Sequence, residues 1–196
     1  EELFKQFVSA PEIREIGKLI AKRLGRALEP YDIWYDGFKS RSSLSEDDLD
    51  KIVRKKYGSV EVFQKEMSKI LLQLDFDKTA SEFIASRIIV DDSRGAGHAW
   101  GAVMKDDFAR LRTRAGKDGM DYKGFNIAMH ELGHTFLQKI TLHDVPYYFL
   151  NGVPNTVFTE ALAFMFQKRD MQILGMKGGD SHLDALDLTW SLYEIM

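Results

Sequence analysis

The chain has 196 residues, 44% hydrophobic and 29% charged, proportions that suit a globular protein able to bury its own core. Lys and Arg number 27 against 30 Asp and Glu, a formal net charge of -3 that removes the electrostatic case for a nucleic-acid binder. Cysteine is absent, which excludes disulfides, thiolate metal sites and cysteine nucleophiles. No apolar run approaches the roughly 20 residues of a membrane span. The chain opens on Glu1-Glu2 without a signal-peptide pattern, and is expected to be a mature or excised piece. Its compartment stays open between cytoplasm and periplasm or exterior.

The first 86 residues read as helices. Ser9 with Glu12 matches a capping box, and Pro11 suits a first turn. Ile13, Ile16, Ile20, Leu24 and Leu28 recur at helical spacing, which predicts a helix that Pro30 ends. The aromatic stretch Tyr31 to Phe38 is expected to pack down. Ser45 is the predicted cap of a second helix with an acidic front and a basic back. Ser59 opens a third, to about Leu74, and Thr79 to Ala85 a short fourth. Strand signals follow at Arg87–Val90, His98–Met104 and Ala109–Arg114. A helix is predicted over Lys123–Thr141, another from Asn155 or Thr156 to Leu174, and a last over Ser181–Ile195, after a break at Gly178-Gly179. The expected fold is mainly α (α+β), with a small antiparallel or mixed sheet before the long helix. Residues 1–86 form its helical N-terminal part and 87–196 the part carrying the chemistry, in one compact unit.

That chemistry centres on His130-Glu131-Leu132-Gly133-His134. Histidines at i and i+4 project side by side from one helix face and can reach a single zinc ion. Glu131 then stands beside the open coordination position, where it can hold the attacking water and take its proton. The surrounding helix is apolar, so two buried His and a buried Glu need a partner, and a dication supplies one. The alternative is a satisfied core His pair. A third ligand is required. His143, nine residues past His134, is expected in the loop after the helix. Glu160, on the next helix within a run of apolar residues, is the better candidate, the alternative being a buried pair with an arginine.

The HELGH motif followed some 25 residues later by a helix-borne Glu resembles the gluzincin metallopeptidases, in particular the angiotensin-converting-enzyme family and the thimet-type oligopeptidases. Ala99-Trp100, Asp107-Phe108, Asp144-Val145-Pro146, the Gly152 to Asn155 loop and Glu160-Ala161-Leu162 extend the likeness over roughly residues 90–176. The resemblance implies a zincin-like domain that hydrolyses peptides, with one zinc held by His130, His134 and Glu160, and Glu131 as general base. It also implies that His98, Ala99 and Trp100 form an edge strand pairing with an extended peptide. Gly95, Gly97 and Gly101 fit that role, although Trp100 could instead be core. Where many gluzincins carry an acid four residues after the third ligand, this chain has Phe164. The family's downstream Tyr and His lie beyond Met196. The chain is therefore expected to be a fragment whose missing C-terminal half docks on it, with weak or no activity alone. Tyr147, Tyr148, His98 and His182 are the substitutes at hand. The expected partner is a peptide substrate. The alternatives are a catalytically silent zinc-binding domain, a zinc hydrolase acting on a non-peptide amide, and a helical adaptor with no metal.

Overall fold

The computed structural model describes residues 2–39, 44–150, 156–176 and 181–195. It is mainly helical, with one small mixed sheet ahead of the longest helix. The chain divides into two compact units, Glu1–Leu44 with Lys177–Met196, and Ser45–Met176.

The first unit contains α1 (Glu2–Val8), α2 (Pro11–Leu24), a 3-10 turn (Pro30–Trp34) and α9 (Ser181–Ile195). Ile13, Ile16 and Ile20 on α2 bury together with Phe38 and Trp190, the apolar face that the spacing foretold. Two expectations need correction. Ala10, not Ser9, is the N-cap of α2, without a side-chain cap, because α1 already occupies the residues before it. The helix also ends at Gly25, whose left-handed φ of 69° lets the chain leave, so Leu28 lies outside it. The aromatic stretch packs only in part: Phe38 is buried, whereas Tyr31 and Trp34 stay exposed.

The second unit contains α3 (Glu46–Tyr57), α4 (Val60–Gln73), α5 (Lys78–Ala85), β1 (Ile88–Ser93), β2 (His98–Trp100), β3 (Ala109–Arg114), α6 (Tyr122–Asp144), α7 (Thr156–Gln167) and α8 (Asp170–Ile173). Ser45, Ser59, Asp77 and Asp121 each cap the helix that follows, their side chains accepting from a backbone N–H three residues on. The sheet order is β1-β3-β2, with β1 parallel and β2 antiparallel to β3. In β3, Ala109, Leu111 and Thr113 are buried while Arg110, Arg112 and Arg114 alternate with them, so one face meets the core. Tyr57 stacks on Phe125 at 5.1 Å, with Phe63 edge-on to both, which ties α3 and α4 to α6.

Strand β2 is shorter than the sequence suggested, because residues 101–108 leave the sheet. Lys139, fully buried on α6, donates to the carbonyls of Lys105 (3.1 Å) and Asp107 (2.7 Å) and anchors this loop. The helix expected to run to Leu174 is two, α7 and α8. Arg169 at the break donates to Asp75, Gln73 and Leu74, and the turn brings Asp170 inward. The Gly178-Gly179 break and the Gly152 to Asn155 loop lie outside the described residues.

Candidate metal centre

The geometry starts from α6. Asp121 accepts from the Gly124 N–H at 2.7 Å, which fixes the helix start and therefore the rotation of every residue after it. His130 and His134 then emerge one turn apart on the side facing α7. A Cβ at Gly133 would lie only 2.6 Å from Ala163 Cα, so only glycine lets α7 approach this closely. Glu160, one turn before buried Ala163, is carried to the two imidazoles by that contact.

The three side chains converge. His130 Nε2 lies 3.2 Å from His134 Nε2 and 3.3 Å from Glu160 Oε2, and His134 Nε2 is 3.4 Å from Glu160 Oε1. Tetrahedral ligands at roughly 2.0–2.1 Å from zinc stand about 3.3–3.4 Å apart, so these separations fit one small dication. Two imidazole nitrogens and one carboxylate are also the donor set of a catalytic zinc with a coordination position left open. The Glu160 side chain is 41% exposed, less buried than its apolar neighbours suggested. Among the described residues it pairs with the two histidines and not with an arginine.

His143 is on the last turn of α6, not in the following loop. Its Nε2 is 3.0 Å from the Lys105 carbonyl and its ring meets Phe83 edge-on, away from any ligand role.

A polar relay behind the ligands was not read from the sequence. Asp170 accepts from the Tyr122 hydroxyl, from Asn126 Nδ2 and from the Met171 N–H. With its amide nitrogen committed to Asp170, Asn126 presents Oδ1 to Gln167 Nε2 at 2.6 Å. Gln167 in turn presents Oε1 to His130 Nδ1 at 3.0 Å. An amide oxygen accepts only, so Nδ1 carries the proton and the Nε2 lone pair faces Glu160 and His134. Phe164, four residues after Glu160, stands edge-on to His130 at 5.0 Å.

Glu131 lies beside the triad on the wall of a cleft of about 610 Å³. Burial pushes its carboxyl above the ordinary value; His130 and His98 oppose that shift and Glu160 adds to it. Burial likewise lowers the His134 imidazole, favouring the neutral form that a metal needs. A Cβ at Gly97 would meet Ile127 at 2.2 Å and Glu131 Oε1 at 3.1 Å, so the loop before β2 rests directly on this part of α6.

His98, Ala99 and Trp100 form the outer strand of the sheet as ordered, and Trp100 is 45% exposed rather than core. The Arg112 guanidinium lies 4.4 Å from its ring centroid. Of the donors considered from sequence, His98 is close enough to influence Glu131, whereas the Tyr148 hydroxyl donates to the Val103 carbonyl. No helix among the described residues is long and apolar enough to cross a membrane. Comparison with protein-family models, curated proteins and solved structures found no match.

Proposed function

We propose that this chain is a zinc-dependent metallopeptidase of gluzincin type. The observation that carries the reading is the convergence of His130, His134 and Glu160 within 3.2–3.4 Å, with Glu131 next in sequence to one of them. A bound zinc supplies positive charge that polarises a peptide carbonyl and acidifies water. Glu131 takes the proton of the attacking water and passes it to the leaving amine. The outer strand His98–Trp100 offers backbone groups to an extended peptide, and the His98 ring is the proposed donor to the developing oxyanion.

The test is Glu131→Gln. It should keep zinc and reduce hydrolysis of an unstructured peptide by more than about a hundredfold. Full activity would remove Glu131 from the reaction. Zinc binding with no hydrolysis by the wild type would leave the silent zinc-binding domain.

A further inference from the structure

We propose that the cleft beside Glu131 recognises a carboxylate of the bound peptide, either an acidic side chain or the chain's own C-terminus; this rests on the peptidase reading above.

Three cationic side chains line the cleft: Arg94, Arg114 and Lys123. They come from three separate elements, the β1–β2 loop, the end of β3 and the first turn of α6, and the fold gathers them at one opening. In a chain of net charge -3 this is a local reversal of sign. Arg114 is anchored by Asp121 at 3.0 Å and stays 43% exposed, so a guanidinium with five N–H donors keeps some for a ligand. Arg94 sits on a loop shaped by Ser93, whose hydroxyl accepts from the Gly95 N–H and donates to the Ala96 carbonyl. Arg94 and Lys123 are exposed.

The remaining walls explain why the occupant should be part of a substrate. Ile127 and Phe164 give the cleft apolar sides that suit an aliphatic stem, and His130 and Glu131 close it at the reactive end. Glu131 is its acidic lining residue, which disfavours a second carboxylate at that end and places the anion toward the basic rim. Free phosphate or sulfate would use the cations but not the apolar walls.

The experiment measures binding to the zinc-loaded Glu131→Gln chain, so that turnover does not interfere. Four alanine-based pentapeptides are compared: amidated with a central Asp, amidated with a central Lys, amidated and neutral, and neutral with a free C-terminus. The Asp peptide, the free-C-terminus peptide, or both, should bind about tenfold more tightly than the neutral amidated one, and the Lys peptide more weakly, as expected of two or three partly exposed ion pairs. Which of the two carboxylate peptides gains identifies the source of the anion. The preference should shrink with added salt. It should vanish in Arg94→Glu/Lys123→Glu, whose zinc content should not change. Equal binding of all four peptides, no measurable binding of any, or a preference that survives the double charge reversal would overturn the proposal. The peptidase reading fails separately, if the wild type binds the carboxylate peptides selectively yet hydrolyses none.

Discussion

Gln167 Oε1 lies 3.0 Å from His130 Nδ1, and the direction of that hydrogen bond is set two residues away, by Asp170. Each amide in the relay has a donating and an accepting end. Because Asp170 accepts, Asn126 and then Gln167 must each turn the same way. The proton on His130 is thereby held on the nitrogen that does not face Glu160. Such outer partners orient a metal-binding imidazole and raise its basicity.

Asp170→Asn should loosen this order. An amide at 170 can donate instead, which allows Asn126 and Gln167 to reverse and moves the His130 proton to Nε2. Zinc affinity should fall about 10–100-fold, the usual cost of losing an outer-shell partner. Nitrogen-15 NMR of the metal-free chain should show His130 protonated at Nδ1 in the wild type and at Nε2 in the variant. Gln167→Leu should weaken zinc similarly. Unchanged tautomer and affinity in Asp170→Asn would reduce the relay to a packing feature.

The approach of α7 to α6 depends on Gly133. In Gly133→Ala the new methyl meets the Ala163 backbone at 2.6 Å, and backbone cannot step aside as a side chain can. The variant should lose about 1–3 kcal/mol by overpacking, despite gaining about 1 kcal/mol of helix propensity. Denaturant unfolding of the metal-free chain measures the loss. Zinc affinity should drop as well, since Glu160 moves with α7. A stabilised variant with intact zinc binding would show that the helices adjust freely.

Metal should stabilise the second unit, because its ligands come from two helices and binding favours the folded state alone. At free zinc about 100 times the dissociation constant, the gain is about 2.7 kcal/mol. The melting temperature should fall on chelation and return with zinc. An unchanged curve for a metal-loaded sample would argue against ligands that bridge α6 and α7.

In the first unit, the Arg26 guanidinium holds the Asp32 carboxyl below its ordinary value of 3.8, helped by the Glu29 N–H. A carboxyl lowered on folding stabilises the protein above its unfolded value and loses that contribution as pH falls through its folded value. Asp32→Asn should therefore be less stable than wild type at neutral pH, with the gap narrowing below pH 3.8. Chemical denaturation of both proteins across that range tests it. A gap that does not change with pH would assign the effect to shape.

Much of this architecture was legible from local signals. Ser45 and Ser59 announced their helices because a hydroxyl ahead of an amphipathic run has one favourable use, and the alternation in Ala109–Arg114 marked a strand with one buried face. The His130, His134 and Glu160 cluster was legible because helical spacing fixes the first two and an apolar context isolates the third. The relay was harder to see. Tyr122, Asn126, His130 and His134 recur every four residues along α6, a polar stripe that is the signal by which Asn126 could have been found. Gln167 ends α7 on the face that carries Glu160, as helical spacing indicates; Asp170 joins the stripe only through the break between α7 and α8, which depends on contacts of Arg169 with residues far away in sequence. The end of α2 was misplaced because Leu24 and Leu28 keep helical spacing through Gly25, where the chain turns away.

The most direct measurement is zinc content after reconstitution with excess zinc and exhaustive dialysis, by elemental analysis of the wild type, His134→Ala and Glu160→Ala. The account predicts one equivalent of zinc in the wild type, held by light-atom ligands at about 2.0–2.2 Å in X-ray absorption, and little or none in either variant. A wild type that retains no zinc would contradict it, as would a Glu160→Ala chain that keeps the full equivalent.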